Sequence, residues 1–248
     1  MAVTASFPES DVMLLWQERR QAFLKAVNSK SSDRGYQNVA YYPSVGEPAR
    51  LTLKRGLDFT VAALALTLLA PLFILIAAVI KMTSPGPVFF HQWRYGYRNR
   101  RFRIYKFRTM YTHLQDRTGT NQATRDDARI TPIGRILRVT SLDELPQLIN
   151  VVKGNMSLVG PRPHVPRMLA ADVLYEHLVP YYFQRHTVRP GITGLAQVSG
   201  YRGSTAQAGD AIARIDYDLE YIETWSLWLD IKIILKTIRR EFLLGTGA

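Results

Sequence analysis

The fold is decided by the stretch FTVAALALTLLAPLFILIAAVI, residues 59–80, which contains no charged side chain. At about 1.5 Å per residue, a straight helix of this length would cross a hydrocarbon core of about 30 Å. Hydropathy alone therefore favours a membrane-spanning helix. Pro71 argues against it, because a proline in the middle of a helix removes a backbone hydrogen bond and bends the axis.

Basic residues stand on both sides of this apolar run. Arg50, Lys54 and Arg55 precede it, and Lys81 follows it, ahead of an arginine-rich segment. A spanning helix usually has such an excess on one side only, because positive charge favours the cytoplasmic leaflet. A helix that bends at Pro71 and leaves through the face it entered would put both flanks on that leaflet. From the residues alone, spanning and re-entry both stay open.

The chain is strongly basic: its 248 residues have a net charge of +12, and none of them is cysteine. The lack of cysteine excludes disulfides, thiolate metal sites and cysteine nucleophiles. A positive chain can bind nucleic acid, anionic lipid or nucleotide phosphates. No acidic residue occurs between Phe59 and Gln115, so the positive charge is concentrated beside the apolar run. This distribution favours lipid or nucleotide over nucleic acid.

The first 50 residues are predicted to form a helix and a linker. Residues 11–28 have apolar side chains near helical spacing, whereas residues 29–50 mix Ser, Gly and Pro without a period. The first apolar cluster ends at Trp16 and is followed at once by charged residues, so we expect no signal peptide.

Two later segments can contact a membrane or phosphate groups. Residues 88–108 interleave aromatic and basic side chains, with a turn predicted near residues 98–100, which is typical of a β-hairpin on a phosphate-rich surface. Residues 218–240 predict a helix rich in Trp, Leu and Ile with a basic stripe. This helix is either an interfacial one or an ordinary core helix with a basic solvent face.

Adjacent carboxylates occur at Asp143 and Glu144. With Ser141 as N-cap, Glu144 completes the pattern of a capping box. The same helix N-terminus would favour the ionised form of Asp143, and an ionised carboxylate beside a bound phosphate is a competent nucleophile. The capping and nucleophile interpretations are compatible. Attack on a phosphate diester also requires cations, and the nearby sequence supplies Arg129, Arg135, Arg138, Arg162, Arg185 and Arg189.

Seven blocks then occur in a specific order. They are KRGLDF (54–59), SPGPVFF (84–90), KFRTM (106–110), RITPIGRILR (129–138), SLDELPQLINVVKGNMSLVGPRP (141–163), RPGITGLAQVSG (189–200) and WLDIKIILKT (228–237). Together they resemble the bacterial sugar transferases, the monotopic phosphoglycosyl transferases that prime polyprenyl-linked glycan synthesis. The resemblance runs from Lys54 nearly to the C-terminus.

The resemblance implies a fold that is mainly α with a small β-hairpin. It implies a re-entrant membrane helix bent at Pro71, amphipathic interfacial helices and a small cytoplasmic catalytic domain. We therefore divide the chain into an N-terminal extension (1–50), the membrane helix (51–82) and the catalytic domain with its interfacial helices (83–248). The expected location is the cytoplasmic face of the bacterial inner membrane.

The implied reaction moves a sugar 1-phosphate from a UDP-sugar to undecaprenyl phosphate and so primes exopolysaccharide, lipopolysaccharide or another surface glycan. Galactose and glucose are the sugars that the resemblance suggests. It makes Asp143 the nucleophile that carries a covalent phosphosugar and the ligand of a required Mg²⁺, with Glu144 completing the catalytic pair. The expected substrate and phosphate-binding residues are Arg138, Arg162, Arg189 and Asp230. Membrane lipids are expected partners and nucleic acid is not; a homo-oligomer stays open.

Two positions depart from the family pattern. Ala70 precedes Pro71 where several relatives have serine, and Asn155 stands where aspartate is common. Two other functions stay open. One is a membrane-tethered module that binds nucleic acid or lipid through the basic hairpin, with Asp143 merely capping a helix. The other is a catalytically silent scaffold of a glycan assembly complex.

Overall fold

The computed structural model describes residues 48–114, 127–203 and 205–240, together with residues 18 and 21. The helix predicted over residues 11–28 and nearly all of the linker predicted over residues 29–50 lie outside the described residues. Helices predominate in the described part of the chain, which confirms the predicted mainly α class.

The helices are α1 (Pro48–Leu68), α2 (Ala70–Thr83), α3 (Pro132–Val139), α4 (Gln147–Val152), α5 (Tyr175–Leu178), α6 (Leu195–Val198), α7 (Ala208–Thr224) and α8 (Leu227–Ile238). The strands are β1 (Phe89–Tyr95), β2 (Arg101–Phe107), β3 (Ser157–Val159), β4 (Leu169–Ala170), β5 (Val173–Leu174) and β6 (Gly191–Thr193). They pair as β1 with β2, β3 with β6, and β4 with β5.

Helices α1 and α2 form a bent apolar pair. The axes of residues 51–68 and 70–83 meet at 60°. Pro71 lies in the first turn of α2, where the missing N–H costs no helical hydrogen bond. Within the described part of the chain, no single helix is long and apolar enough to cross a membrane, whereas this bent pair together meets the length and composition required.

The outer faces of these helices leave large apolar side chains exposed. Extended apolar surface of this kind marks a site that contacts a membrane or another protein. Helix α8 also leaves large apolar side chains exposed. The most exposed of these side chains are Leu64, Leu68, Ile74, Leu75, Met82, Trp228 and Leu235.

The predicted hairpin is confirmed. Strands β1 and β2 pair antiparallel from Phe89 opposite Phe107 to Tyr95 opposite Arg101. Arg98 and Asn99 have positive φ angles at the turn, within the predicted residues 98–100. The exposed Arg98, Arg101 and Arg103 lie over aromatic rings of the hairpin, and the Arg103 guanidinium lies 4.9 Å from the centre of the Trp93 ring.

The parallel pair of β3 and β6 joins two loops that are distant in sequence. Ser157 lies opposite Gly191, and Val159 lies opposite Thr193. Gly191 is required there because a Cβ atom would overlap the backbone of Gly160. The pairing therefore brings the Gly-Pro-Arg-Pro segment at 160–163 next to the Arg-Pro-Gly segment at 189–191.

Helix α1 is fastened to the rest of the molecule by polar contacts as well as by packing. Asp58, a buried carboxylate of α1, accepts hydrogen bonds from Ser157 Oγ at 2.6 Å and from the backbone N–H of Leu158 at 3.3 Å. One turn earlier, Lys54 donates to Asp230 of α8 at 2.6 Å. Ala62 continues the contact into an apolar cluster with Leu148, Val151 and Met156 of the neighbouring segment.

The single helix predicted over residues 218–240 is wrong. Helix α7 ends at Thr224 and α8 begins at Leu227, and the extended backbone of Ser226 separates them. The Ser226 hydroxyl accepts a hydrogen bond from the backbone N–H of Leu229, as an N-cap does. Ser226 therefore marks the start of a new helix, which the apolar periodicity on either side does not reveal.

Candidate active site

The acidic pair lies in a short turn rather than in a helical capping box. Residues 142–144 form one turn of 3₁₀ helix, and α4 starts three residues later. Ser141 has a φ of 55° and its side chain makes no capping hydrogen bond. The predicted capping box of Ser141 and Glu144 is therefore wrong: the Glu144 carboxylate is engaged by cations instead of by the backbone.

Glu144 is fixed by cations from two other parts of the chain. Arg162 donates two hydrogen bonds to its carboxylate, at 2.6 and 3.1 Å, and Lys106 donates a third at 2.7 Å. Arg202 lies 4.0 Å away. Burial by itself would raise the pKa of Glu144, but Arg162 and Lys106 hold this pKa well below its ordinary value. The two cations therefore favour the ionised form of Glu144, which in turn orients them.

Asp143 is held less tightly than its neighbour. Its Oδ2 lies 3.8 Å from Lys106 Nζ. Burial raises the pKa of Asp143, and the opposing attraction of Lys106 does not cancel the shift. The sequence predicted the reverse, because it assigned this carboxylate to a helix N-terminus. Since that helix does not begin here, Asp143 does not receive the stabilisation expected from a helix N-terminus, and its charge stays less fully compensated than that of Glu144.

Sequence reasoning missed Lys106 as a site residue. The basic hairpin was interpreted as an outward-facing surface, and Arg101 and Arg103 are indeed exposed. Side chains alternate along a strand, however, and Phe102 and Ile104 are buried on the other face. Lys106 continues that inward face to the acidic pair. A basic residue in phase with the apolar Phe102 and Ile104 was the signal that could have found it.

Arg202 was also missed. It donates to Ser141 Oγ at 3.1 Å, beside Glu144. It lies in the loop between α6 and α7, outside the seven blocks, so no pattern in the sequence marked it.

The predicted binding residues fall into two groups. Arg162 contacts the acidic pair, and the charge of Arg138, in the last turn of α3, acts on Asp143. Arg189 instead donates to the backbone carbonyl of Gly154 and lies 5.8 Å from the Tyr97 ring centre.

Asp230 also has a different set of partners from the acidic pair. It accepts hydrogen bonds from Lys54, Tyr221 and Trp225 at 2.6, 2.8 and 3.3 Å. Arg189 borders a cavity of about 360 Å³ beside α1, and Tyr221 and Trp225 line the same cavity, whose lining includes neither Asp143 nor Glu144.

A second cavity borders Glu144, and its lining does not include Asp143. Its volume is about 350 Å³, and Ser141, Glu144 and Arg202 form one end of its wall. The remaining lining is largely apolar and comes from the turn before α4, from β6, from α6 and from the end of α8: Thr140, Leu142, Leu145, Leu148, Ile192, Thr193, Gln197, Val198, Gly200, Gly203, Thr237 and Arg240.

A buried ion pair holds the backbone of Arg162 in place. Arg185 and Asp218 are almost completely buried, with 2.6 Å between Nη2 and Oδ2. The same Arg185 nitrogen donates to the backbone carbonyl of Arg162 at 2.6 Å. Arg185 therefore fixes the backbone from which the Arg162 side chain reaches Glu144.

Carboxylates able to hold a metal are few in this region. In residues 48–114, 127–203 and 205–240, no group of three or more His, Cys, Asp or Glu side chains could enclose an ion.

Comparison with known protein families identifies one match over most of the chain. The sequence model of the family described as bacterial sugar transferase matches residues 49–243.

Similar individual proteins carry related names. The chain is 52% identical over 188 residues to "Undecaprenyl-phosphate glucose phosphotransferase" of Komagataeibacter xylinus, which covers 76% of this chain and 35% of that protein. It is 49% identical over 197 residues to "Exopolysaccharide production protein PSS" of Rhizobium leguminosarum bv. phaseoli, covering 79% of this chain and 98% of that protein. It is 52% identical over 183 residues to "UDP-glucose:undecaprenyl-phosphate glucose-1-phosphate transferase" of Xanthomonas campestris pv. campestris, covering 74% of this chain and 37% of that protein. The chain thus spans about a third of the length of two of these relatives and nearly all of the third.

Proposed function

Because the chain belongs to the bacterial sugar transferase family, we propose that it transfers a sugar 1-phosphate from a UDP-sugar to undecaprenyl phosphate. Glucose is the first sugar to test, since two of the similar proteins are named for it. The product would be the lipid-linked sugar with which synthesis of an exopolysaccharide or another surface glycan begins.

The observation that carries this proposal is that cations bind the two adjacent carboxylates to different extents. Arg162 and Lys106 donate hydrogen bonds to Glu144 and neutralise its charge. Asp143 lies beside the same cations but is held less tightly. A nucleophile must keep its lone pairs available, and the phosphate that it attacks must meet positive charge. Asp143 meets the first requirement, and Arg162 and Lys106 meet the second.

The first half-reaction uses Asp143 as the nucleophile. A carboxylate oxygen attacks the phosphorus that bears the sugar, and a bond forms between that oxygen and phosphorus. The bond from this phosphorus to the bridging oxygen breaks, and UMP leaves with the electron pair. Lys106 and Arg162 stabilise the charge that builds on the phosphoryl oxygens. Glu144 keeps both cations in position.

The second half-reaction regenerates the carboxylate. An oxygen of undecaprenyl phosphate attacks the same phosphorus, and the bond between Asp143 and phosphorus breaks. The sugar phosphate is then joined to the lipid through a diphosphate. Because Asp143 is the nucleophile of the first step and the leaving group of the second, both displacements take place at the same site.

A Mg²⁺ ion fits the chemistry of these residues. Burial raises the pKa of Asp143, so its carboxylate has charge left to be compensated. Mg²⁺ is commonly held by one or two carboxylates together with substrate phosphates, and Asp143 would be its protein ligand here. When bound, the ion would neutralise charge on the diphosphate.

The proposed membrane arrangement follows from the bent pair α1 and α2 and from its basic flanks. Both helix ends would lie at the cytoplasmic face, where the acidic pair can reach a soluble nucleotide sugar and a lipid phosphate. The exposed apolar side chains of α1, α2 and α8 would contact lipid.

Cysteine accessibility tests this topology. Thr52 and Thr83 are exposed near the two ends of the bent pair, and the chain has no cysteine of its own. In intact cells, we expect neither Thr52→Cys nor Thr83→Cys to react with a membrane-impermeant thiol reagent. Both should react after the membrane is permeabilised. Labelling of either variant from the periplasmic side would contradict re-entry.

Replacement of Lys106 tests the assignment of cations. Lys106→Met should slow UMP release by about 10²-fold, because one preorganised donor to the phosphoryl oxygens is lost. Lys153→Met is the matched control. The exposed Lys153 donates a hydrogen bond to the hydroxyl of Tyr105, which is on the same strand as Lys106, and it lies away from the acidic pair. The control should stay within about twofold of the parent rate. Equal rates of UMP release for the two variants would show that Lys106 does not take part in the reaction.

The function as a whole is tested by incubating detergent-solubilised protein with Mg²⁺, undecaprenyl phosphate and a panel of UDP-sugars. Release of UMP together with a sugar-bearing lipid diphosphate is the expected result. A protein that releases no UMP with any sugar, yet binds anionic vesicles or nucleic acid, would support the binding-module alternative.

A further inference from the structure

We propose that the cavity of about 350 Å³ beside Glu144 is the nucleobase pocket of the donor, and that the Gln197 side chain reads the ring N–H of uracil. This inference rests on the proposed function and deepens it, because it assigns the part of the site that selects the nucleotide.

The position of the cavity follows the order of groups in a nucleotide sugar. Asp143 would attack the phosphorus that bears the sugar, so the ribose and base extend away from it through the other phosphate. Arg202 lies on that path: it contacts Ser141 and approaches Glu144, and all three residues border the cavity. A diphosphate held between Asp143 and Arg202 therefore directs the base into this space.

The size and lining of the cavity suit a planar heterocycle. Small-molecule sites begin at about 300 Å³ and combine mainly apolar walls with a few polar groups. Leu145, Leu148 and Ile192 supply apolar wall. The hydroxyls of Thr193 and Thr237 are already hydrogen-bonded to each other at 2.7 Å.

Gln197, a residue of the cavity lining, supplies an unsatisfied polar group. Its amide nitrogen is directed to the backbone carbonyl of Ile192 at 3.4 Å, which leaves the amide oxygen as the acceptor. That oxygen is buried and has no hydrogen-bond partner among the described residues. A buried acceptor without a donor is costly, so a ligand with an N–H group is favoured here over a hydrocarbon chain. Uracil carries such a donor at ring position 3.

Calorimetry of the full chain in detergent with Mg²⁺ tests this assignment, with UDP and 3-methyl-UDP as the probes. The parent protein should bind 3-methyl-UDP about tenfold more weakly, because the methyl group replaces the donated hydrogen. Gln197→Leu has nearly the same volume but no acceptor. It should weaken UDP binding by about tenfold and reduce the discrimination between the two probes to less than about twofold.

The outcomes separate this inference from the proposed function. If Gln197→Leu keeps the parent discrimination, the base binds elsewhere and the assignment is wrong, whether or not the parent protein releases UMP. If the variant binds both probes like the parent and instead raises the KM for undecaprenyl phosphate, the cavity holds the lipid chain, which also overturns it. Circular dichroism checks folding. Should Gln197→Leu not fold, Gln197→Asn is measured in the same way, because it withdraws the acceptor by one methylene and should likewise lose discrimination.

Discussion

Asp143→Asn should abolish the burst of UMP that the proposed mechanism produces from UDP-sugar alone. The parent protein should release one UMP per active site without lipid acceptor and gain the mass of one sugar phosphate. The amide of asparagine is a poor nucleophile, so both signals should fall by about 10⁴-fold or more. Rapid-quench measurement of UMP and intact-protein mass spectrometry report the two signals independently.

A control with the same chemical change at the surface isolates the nucleophile. Asp172→Asn alters an exposed aspartate with a φ of 61°, a conformation that asparagine tolerates well. It should keep the full burst. If Asp143→Asn retained near-parent turnover, the nucleophile would have to be another carboxylate. Asp230 would be examined next, although Lys54 and Tyr221 already occupy its oxygens.

Asp218→Asn should produce the largest loss of stability. It would leave the Arg185 guanidinium, which is 1% exposed, without its counter-charge. Removing one partner of a buried ion pair costs about 3–5 kcal/mol of unfolding free energy. For a chain of this size the midpoint of thermal unfolding should fall by about 6–20 °C. Thermal scans in detergent, followed by circular dichroism, measure the shift.

The matched control lies on the same helix. Asp210→Asn changes an exposed aspartate in the first turn of α7, where the helix dipole contributes at most about 1 kcal/mol. Asp218→Asn should therefore unfold well below it. Equal midpoints for the two variants would show that the pair of Arg185 and Asp218 contributes little to stability.

The features that the sequence predicted well are those governed by local rules. The apolar run with Pro71 predicted a bend, and a bend of 60° is present. Alternating aromatic and basic residues with a turn at residues 98–100 predicted the hairpin. The mainly α class and the family were also predicted correctly, because seven ordered blocks carry more information than any one of them.

The errors concern partners that are distant in sequence. A capping box at Ser141 is a sound local prediction, but Arg162 and Lys106 compete for Glu144, and charge-assisted hydrogen bonds from two cations are stronger than one from a backbone N–H. The structure also places Arg189 and Asp230 away from the acidic pair that Arg162 contacts, which motif matching does not reveal; their role in binding stays a prediction.

Asp58 has a consequence for how this chain can be rearranged. It lies one residue before the uncharged stretch, and its carboxylate accepts hydrogen bonds from Ser157 and Leu158 of the β3 strand. The strand that aligns the two arginine loops is therefore completed by the bent helix pair. Deleting that pair to obtain a soluble fragment would expose an unfinished strand edge together with two unpaired donors. The two units on either side of residue 83 therefore cannot be exchanged between relatives as independent modules.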